Sequence, residues 1–480
     1  MSKINKTKKK KIVNIVSIIL FIVLLIVTIG IMGVIVSLGI IPLKYLILLF
    51  IVFGLLYFGF GKIVFNKKIR IWVKTLISII SSILIIGYLL GFYYLSSTLN
   101  FMDKIKADEY QIEKYYVLVN KNSNIKELND IKMLGVYGNN ENTKKALNKL
   151  SEQIKFTKKE YNNYIDLANS ILKNKVDAIL LSASYKDIVA EMITDFDNNI
   201  EIIHTIEIKA KSGIKTKNVD IVSEPFNVYI SGIDIYGEIS MVSRSDVNMI
   251  MSVNPKTHQI LLTSIPRDYY VQLHGTTGAK DKLTHAGLYG INMSIETIED
   301  LLDQKIDYYV RVNFTTLISL VDAIGGIEVY SDTAFRAWTD QGCYYNVGNI
   351  NLNGKCALAY ARERMAYIDG DRHRVQNQQD VITAIMNKTL SSRTLITKYT
   401  NILESMSDSF QTNIPTKSIY ELINMQLDKM PNWNFSRYSL NGYDSTNGTY
   451  TFGAEQLYVM EPDMNTVKEA RTKIAEIMNK

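Results

Sequence analysis

Three long apolar stretches dominate the first hundred residues of the chain. They run from Ile12 to Leu43, from Tyr45 to Gly61 and from Thr75 to about Leu95, and none contains a charged residue. Each is long enough to cross roughly 30 Å of hydrocarbon, although the second is near the short limit. The pattern therefore predicts three transmembrane helices within residues 1–95. A cleavable signal peptide would have a shorter apolar core and is the weaker interpretation.

Two clusters of basic residues flank these stretches. Basic loops stay in the cytoplasm, so three spans place everything after about residue 96 outside the cell. With two spans or a re-entrant segment, the location of the rest of the chain would be inverted. The first cluster is Lys3, Lys6 and the run Lys8 to Lys11, and the second is Lys62, Lys67, Lys68, Arg70 and Lys74.

In residues 96–215, short apolar runs alternate with amphipathic ones. This alternation predicts a small α/β accessory domain with a mixed or parallel sheet. The domain has no glycine-rich phosphate loop and no nucleophile elbow, so we expect an accessory or docking role. The segment from Lys209 to Pro225 lacks periodicity and is predicted to be a linker. The predicted strands are Tyr115–Val119, Met133–Tyr137 and Asp177–Leu181, and the predicted helices are Asn142–Ile154, Ile165–Leu172 and Tyr185–Ile193.

Residues 216–390 combine strand and helix patterns, which predicts an α/β or α+β domain. We expect the tail, residues 391–480, to be a helical extension packed on this domain, with one strand-like stretch at Glu455–Val459. The predicted strands of the domain are Phe226–Ile233, Val247–Val253, Gln259–Ile265 and Asp307–Val312, and its predicted helices are Ser294–Leu302, Thr315–Ala323 and Gln376–Leu390. The predicted helices of the tail are Thr394–Asp408, Thr416–Asp428 and Asn465–Met478.

The net charge of +7 is confined to the membrane part of the chain. Residues 1–100 hold 12 of the 54 Lys and Arg residues and no Asp or Glu, which leaves 42 basic and 47 acidic residues and a net charge of −5 elsewhere. A globally basic surface for nucleic acid is therefore not supported, and we expect no nucleic-acid partner.

The two cysteines, Cys343 and Cys356, both lie in the part predicted to be exported. A disulfide closing this short loop would contribute roughly 3 kcal/mol. The alternative is two unpaired, partly buried thiols. Neither cysteine belongs to a CxxC pair, which argues against a metal site.

Charged residues collect where the predicted strands of residues 216–390 begin or end, and a further group is packed into the segment YARERMAYIDGDRHRVQNQQ. Charged residues at strand ends point into the crevice in which α/β proteins bind ligands. Arginine forks suit phosphate oxygens, and one or two carboxylates suit Mg²⁺. Pyrophosphate with Mg²⁺ is the economical ligand for this set, while a surface salt-bridge network is the alternative. The set comprises Asp234, Arg244, Asp246, Arg267, Lys282, Arg362, Arg364, Asp371, Arg374 and Gln378.

Five motifs in residues 226–390 resemble the LytR–CpsA–Psr family, in the family's order. They are SGIDIYGEISMVSRSDVNMIMSVN, SIPRDYYV, KLTHAGLYG, IDYYVRVNFTTLISLVDAIGGIEV and LNGKCALAYARERMAYIDGDRHRVQNQQ. The three-span anchor and the accessory domain resemble the streptococcal capsule-locus CpsA branch. The resemblance implies an α/β domain of the family's type, with a central mixed sheet flanked by helices.

The resemblance also implies roles for the charged residues. Asp234 and Asp246 would hold Mg²⁺, and Asp371 would orient an arginine or act as a base. The family commonly has an arginine where this chain has Asn377, so one phosphate contact is missing here. His285 and His373 are expected to be structural. The helices from Ser294 and Gln376 would either cover a polyprenyl tunnel or form ordinary core. The pyrophosphate clamp would be Arg244, Arg267, Lys282, Arg362, Arg364, Arg374 and Gln378, with Arg267, Asp371 and Arg374 the catalytic residues.

The activity that the resemblance implies is Mg²⁺-dependent transfer of an anionic glycopolymer, such as capsule or teichoic acid, from undecaprenyl pyrophosphate to peptidoglycan. The expected partners are this lipid-linked polymer, the peptidoglycan acceptor, the membrane and capsule-synthesis proteins. Three other functions compete with it: a membrane-bound regulator of envelope genes, a polyprenyl pyrophosphate phosphatase, and a scaffold for polymer synthesis. A regulator that binds DNA needs a cytoplasmic domain, and residues 1–11 with one short loop are too small for that.

Overall fold

The protein is described from a computed structural model. It describes residues 2–38, 41, 43–105, 110–138, 140–211, 219–234, 239, 242–391, 401–402, 405 and 409–479. The chain forms two compact units. The first contains residues 1–104, 395–404 and 415–431, and the second contains residues 105–394, 405–414 and 432–480.

The first unit contains three helices that are long and apolar enough to cross a membrane, over Lys10–Val36, Leu43–Phe65 and Ile71–Tyr93. This confirms the three predicted apolar helices; their orientation in a membrane stays a prediction. Most of their large side chains are exposed, as a lipid environment requires. The helices of this unit are α1 (Ser2–Leu38), α2 (Leu43–Phe65), α3 (Ile71–Ile105) and α13 (Thr416–Lys429).

Residues 110–211 fold around a five-stranded mixed sheet, which confirms the predicted sheet type. Its strands are β1 (Tyr110–Asn120), β2 (Met133–Val136), β3 (Thr157–Glu160), β4 (Ala178–Ser182) and β5 (Ile200–Lys211). Their order is β3-β2-β4-β1-β5, with β2 parallel to β3 and β4, and β1 antiparallel to β4 and β5. The prediction missed β3, because its TKKE sequence is wholly exposed, and also β5.

The helices of this domain begin at polar caps. The side chains of Asn140 and Asn163 accept hydrogen bonds from the backbone N–H groups of Thr143 and Asp166, which fixes the first turns of α4 and α5. The helices are α4 (Glu141–Ser151), α5 (Tyr164–Leu172), α6 (Ala183–Met192) and α7 (Phe196–Asn199). The predicted linker falls partly on residues 212–218, which lie outside the described residues.

A six-stranded mixed sheet forms the centre of the following domain, and it confirms the four strands predicted for it. Its strands are β6 (Phe226–Ile233), β7 (Val247–Asn254), β8 (Gln259–Ile265), β11 (Tyr308–Asn313), β16 (Phe410–Thr412) and β17 (Asn434–Ser439). Their order is β16-β11-β6-β7-β8-β17. Because β7 is antiparallel to both β6 and β8, and β11 is parallel to β6, the ends of β6, β8 and β11 meet the start of β7 at one edge.

Helices cover this sheet. Buried Ile298 and Ile474 pack with Tyr229, Ile250 and Leu261 of the sheet. The buried side chain of Gln379 donates to Ser264 Oγ at 2.9 Å and to the Tyr438 carbonyl at 2.8 Å, which fastens another helix across β8 and β17. The helices are α8 (Leu283–Ala286), α9 (Ile291–Leu302), α10 (Phe314–Ala323), α11 (Gly354–Arg362), α12 (Asp371–Thr389) and α14 (Met464–Met478).

Small hairpins complete the domain, and a disulfide joins one of them to α11. Cys343 and Cys356 are bonded, which confirms the disulfide interpretation over free thiols. The short strands are β9 (Tyr270–Val271), β10 (Asp281–Lys282), β12 (Ile327–Ser331), β13 (Phe335–Arg336), β14 (Tyr344–Tyr345), β15 (Gly348–Leu352), β18 (Gly442–Thr449) and β19 (Gly453–Pro462).

The tail is more than the helical extension that was expected. It supplies β16 and β17 to the two edges of the central sheet and adds the hairpin β18–β19. The pattern hid these strands because β17 and β18 are mostly polar and only partly buried. Most of the helix predicted over Thr394–Asp408 lies outside the described residues.

Candidate functional site

The central feature of the site is an ion pair at the edge where strand ends meet. Asp246 directly precedes β7 and Arg267 closely follows β8, and Arg267 Nη1 lies 3.0 Å from Asp246 Oδ1. The Thr284 hydroxyl donates to the same oxygen at 3.2 Å. The other oxygen, Oδ2, is buried and has no hydrogen-bond partner among the described residues. Asp246 therefore keeps one oxygen for a ligand.

Gly287 supports the loop that carries Asp246. A Cβ atom at this position would lie 2.4 Å from the Ser243 carbonyl oxygen and 3.1 Å from the Ser245 nitrogen. No side chain fits there, so the glycine lets the segment after β10 pack directly against the loop before β7. This contact explains the glycine in the motif KLTHAGLYG.

A cavity of about 360 Å³ lies at this edge, and its lining is divided in character. One part is charged and polar and contains most of the predicted site residues: Asp234, Asp246, Arg267, Arg362, Arg364, Arg374 and Gln378, with Glu191 in addition. The other part is apolar and is formed mainly by Ile230, Ile233, Val247, Val312, Phe314, Leu317, Trp338, Leu358, Val381 and Ile382. The structure therefore joins a long apolar surface to a cluster of arginines.

Each of the three cavity-lining arginines from α11 to α12 has a carboxylate close to it. Arg374 Nη2 lies 2.9 Å from Asp371 Oδ2, and Arg364 lies 3.9 Å from the other oxygen of Asp371. Arg362 lies 3.6 Å from Asp234 and its guanidinium is 4.3 Å from the centre of the Phe314 ring. The longer contacts leave guanidinium N–H groups available for phosphate oxygens.

Burial and charge shift the pKa values in this cluster. Burial, together with the charge of Asp246, raises the pKa of Asp234, although Arg362 opposes the rise. Burial works against the charge of Arg267, but Asp246 and Asp268 outweigh it and raise its pKa. Burial lowers the pKa of Arg374. Two carboxylates and several cations thus share a partly desolvated site.

Two residues of the predicted pyrophosphate clamp, Lys282 and Arg244, do not line this cavity. Lys282 contacts Asp268 at 3.0 Å, and Asp268 in turn lies 3.7 Å from Arg267 Nε, so Lys282 lies behind the site. Arg244 is paired with Glu191 and lines a second cavity of about 190 Å³, which shares Asp234 and Asp246 with the first.

Sequence reasoning missed Glu191, which comes from α6 of the accessory domain. Nothing in its local sequence distinguishes it from other surface glutamates. It also assigned no role to Asp268, although the neighbouring Arg267 marks the position. Phe314 and Trp338 were missed as cavity residues. Phe314 lies in a strand-to-helix turn, where an aromatic residue more often packs in the core, and Trp338 lies in the hairpin between β13 and β14.

The other expectations are resolved by position. His285 is buried with Nδ1 2.6 Å from Asp281 Oδ1, and the His373 ring stacks on Tyr367 at 3.5 Å; both contacts support the expected structural roles. Asn377 is buried and donates to the Tyr360 carbonyl. It fastens α12 to α11 and does not face the cavity.

Helix α12 lines the cavity, whereas α9, the predicted helix from Ser294, belongs to the core.

The residues present suit a divalent cation. Among the described residues, no group of three or more His, Cys, Asp or Glu side chains forms a metal cluster. Asp234 and Asp246 nevertheless line the same cavity, and the unpartnered Oδ2 of Asp246 is a free ligand atom. Two carboxylates are what Mg²⁺ takes from a protein when phosphate oxygens and water complete its shell. The site therefore fits Mg²⁺ bound together with a phosphorylated ligand.

The family model confirms the class of protein that the five motifs predicted. The model, described as the LytR_cpsA_psr family, matches residues 192–471, more than half of the chain. The chain belongs to the LytR–CpsA–Psr family. Residues 110–191 of the accessory domain lie outside the match.

Named relatives and a solved structure are similar to part of this chain. A protein named polyisoprenyl-teichoic acid–peptidoglycan teichoic acid transferase TagU from Enterococcus faecalis V583 is 37% identical over 213 residues, which are 44% of this chain and 67% of the relative. A protein with the same name from Bacillus subtilis 168 is 34% identical over 250 residues, which are 51% of this chain and 78% of the relative. The crystal structure of B. subtilis TagV is 31% identical, with a TM-score of 0.45, and the match covers 54% of this chain and 98% of that one.

Proposed function

We propose that this protein transfers an anionic glycopolymer, capsular polysaccharide or a related polymer, from an undecaprenyl pyrophosphate carrier to peptidoglycan. The observation that supports this proposal is one cavity with an apolar wall and an arginine-lined end. A polyprenyl pyrophosphate has the same two parts, an apolar chain and a pyrophosphate group. The relatives' names, teichoic acid transferases that act between a polyisoprenyl carrier and peptidoglycan, support the same class of reaction.

The apolar wall binds the first isoprene units, and the arginines bind the pyrophosphate. Arg267, Arg362, Arg364 and Arg374 converge on the polar end, where planar guanidinium groups form paired hydrogen bonds with phosphate oxygens. Gln378 lies beside them. Arg244 and Lys282 are paired with Glu191 and Asp268, and they add positive charge from behind this end.

Asp234 and Asp246 would hold Mg²⁺ beside the pyrophosphate. The cation would supply positive charge that neutralises the phosphate oxygens. Asp246 also holds Arg267 in place through its second oxygen. Under this proposal Asp246 Oδ1 binds Arg267 and Oδ2 binds Mg²⁺, which agrees with the absence of a hydrogen-bond partner for Oδ2 among the described residues.

The reaction is a phosphoryl transfer without a covalent enzyme intermediate. A hydroxyl of the wall acceptor attacks the sugar-linked phosphorus, the P–O bond to the second phosphate breaks, and polyprenyl phosphate leaves with the electron pair. The hydroxyl proton passes to Asp371 or to solvent. Arg267 and Arg374 stabilise the negative charge that grows on the leaving phosphate. Asp371 lies 2.9 Å from Arg374 and is well placed either to orient it or to accept the proton.

The catalytic domain lies outside the cytoplasm under this proposal. The two basic clusters that flank the apolar helices support a cytoplasmic N-terminus and three crossings. Peptidoglycan is an extracytoplasmic acceptor, so location and reaction agree.

The test is polyprenyl monophosphate formation by the full chain in vesicles that contain a lipid-linked pyrophosphate glycan and Mg²⁺. The expected result is turnover by the wild type, loss of turnover in Arg267→Ala, and normal turnover in Lys468→Ala, an exposed cation on α14. Equal turnover in both variants contradicts the site. Monophosphate released with free glycan phosphate, and with no glycan on added peptidoglycan, identifies a pyrophosphatase instead.

A further inference from the structure

Large apolar side chains are exposed at the mouth of the arginine-lined cavity and on the hairpin segment next to Trp338. Trp338 and Met365 line the cavity and are still 62% and 63% exposed, so they mark its opening. Ile368, at the tip of the adjacent loop, is fully exposed. Single exposed apolar residues are common, but a group beside an apolar cavity indicates a contact surface. We call Trp338, Tyr344, Val347, Met365 and Ile368 the apolar rim.

The protein holds the parts of this rim together. The buried carboxylate of Glu363 accepts a hydrogen bond from the Trp338 backbone N–H at 2.7 Å and another from the Met365 N–H at 2.8 Å. These bonds tie the hairpin β13–β14 to the loop of residues 363–370. The rings of Phe335 and Tyr367 pack edge to face at 5.3 Å across the same junction. The two segments that carry the exposed side chains of the rim are therefore held together by hydrogen bonds and ring packing.

The disulfide fixes the second side of the rim. Cys343 directly precedes Tyr344 and is bonded to Cys356 in α11, the helix that ends at Arg362. The hairpin that presents Tyr344 and Val347 is therefore joined covalently to the helix that presents a candidate phosphate ligand. The disulfide and the hydrogen bonds of Glu363 thus connect the rim to the charged end of the cavity.

We infer that the apolar rim inserts into the surface of a lipid bilayer and gives the polyprenyl chain a continuous apolar route into the cavity. This inference rests on the proposed function, which makes the substrate a membrane lipid. The rim is continuous with the apolar wall through Trp338 and Met365. The same chain carries three helices that can cross a membrane.

The composition of the rim favours lipid over carbohydrate or a protein groove. Trp and Tyr are the residues enriched at the boundary between bilayer and water. Ile368, Val347 and Met365 are aliphatic and make no stacking platform for a sugar. An isoprenoid chain that crossed water to reach the cavity would expose its whole apolar surface, which is unfavourable. If the rim contacts the bilayer, the isoprenoid chain can enter the cavity without passing through water.

The cysteine content makes a direct test simple. The sequence has two cysteines, and they form the disulfide, so Ile368→Cys gives the full chain a single free thiol. This thiol is labelled with a polarity-sensitive fluorophore after reconstitution into phosphatidylcholine and phosphatidylglycerol vesicles. Met464→Cys is the matched control, because Met464 is 56% exposed and lies at the start of α14, outside the segments that form the rim.

The expected result is a blue-shifted emission at position 368 and quenching by lipids that carry a spin label near the headgroup, with neither effect at position 464. Equal emission and quenching at both positions would overturn the inference. The readout needs no turnover, so insertion without polyprenyl phosphate formation supports the rim and contradicts the proposed function.

A second variant tests the consequence for the substrate. Ile368→Asp should slow turnover of a long-chain polyprenyl pyrophosphate embedded in vesicles and leave turnover of a short-chain, water-soluble analogue unchanged. Because Ile368 is fully exposed, the change does not disturb packing. Equal rates for the variant and the wild type on both substrates, or an equal loss on both, would argue against a route from the bilayer.

Discussion

Arg244 donates two hydrogen bonds to Glu191, from Nη1 to Oε2 at 2.8 Å and from Nη2 to Oε1 at 2.7 Å. The arginine precedes β7 beside the metal-binding candidate Asp246, whereas the glutamate lies in α6 of the accessory domain. The charge and hydrogen bonds of Arg244 overcome the effect of burial and lower the pKa of Glu191. The accessory domain thus places a charged carboxylate in the lining of the cavity that we assign to pyrophosphate.

Glu191→Gln is expected to tighten binding of a polyprenyl pyrophosphate. The change removes a negative charge from the cavity and weakens the hold on Arg244, and both effects favour an anion. We expect a decrease in Kd of about two- to tenfold at low ionic strength, which shrinks as salt is added. The measurement is binding of a fluorescent polyprenyl pyrophosphate to the full chain.

Glu201→Gln is the control, because Glu201 is exposed in β5 and pairs with Lys126. Weaker binding in Glu191→Gln than in this control would mean that Glu191 positions Arg244 for the ligand and does not compete with it.

Asp246→Asn is expected to change the dependence on metal. The variant keeps a hydrogen-bonding oxygen but loses the charge that a divalent cation needs. Turnover should fall by at least about 10²-fold at ordinary Mg²⁺ concentrations, as for loss of a main electrostatic contribution. The half-saturating Mg²⁺ concentration should rise, while lipid binding remains in part. Asp300→Asn, on the exposed side of α9, should leave the Mg²⁺ titration unchanged; an unchanged titration in Asp246→Asn would exclude the metal assignment.

Asp371→Asn separates a proton-accepting role from a positioning role. As a general base, Asp371 would contribute about 10²- to 10⁴-fold to kcat with little effect on KM. An increase in KM at unchanged kcat would instead mean that Asp371 orients Arg374 and Arg364 for binding. The measurement is steady-state turnover of the lipid-linked glycan, with circular dichroism to confirm folding. Near-normal kcat and KM would remove Asp371 from the mechanism.

Much of the site was predictable because charged residues at the ends of neighbouring strands lie at one edge of the sheet. Asp234, Asp246 and Arg267 are far apart in sequence, yet the alternation of β6, β7 and β8 predicts that they share an edge. The arginines of α11 and α12 stood out as a cluster in the sequence, but the family resemblance assigned them to a pyrophosphate clamp, since their local sequence alone also fits a surface salt-bridge network. Long apolar stretches predicted the three membrane helices for a simpler reason, the length that a bilayer requires.

Other features depend on contacts between distant segments and leave no local signal. Glu191 matters only because α6 packs beside the loop of Arg244. Strand β17 joins the sheet through backbone pairing with β8, so its polar NFSRYS sequence shows no apolar alternation. Lys282 is the first residue of the motif KLTHAGLYG, but the pairing of β9 with β10 places its side chain against Asp268. Sequence pattern therefore predicts where strands end better than it predicts where long side chains point.

Glu113→Gln is expected to stabilise the accessory domain above acidic pH. Glu113 is buried in β1, and burial raises its pKa, although a hydrogen bond from Asn142 at 2.8 Å opposes the rise. A raised pKa means that the folded state prefers the protonated form, so stability is lost as pH rises through the folded pKa. Thermal unfolding at pH 5 and pH 8 should show a larger gain for the variant at pH 8. An equal difference at both pH values would contradict the burial of an ionisable group.

The fate of the sugar-linked phosphate tests the central claim most directly. The full chain in vesicles is given a lipid-linked glycan whose sugar-proximal phosphate carries ³²P, together with Mg²⁺ and insoluble peptidoglycan. Glycopolymer transfer predicts that ³²P appears in the peptidoglycan while unlabelled polyprenyl phosphate accumulates, and that Arg267→Ala abolishes both. Label that stays soluble as glycan phosphate, or that never leaves the lipid although the protein is folded, would contradict it.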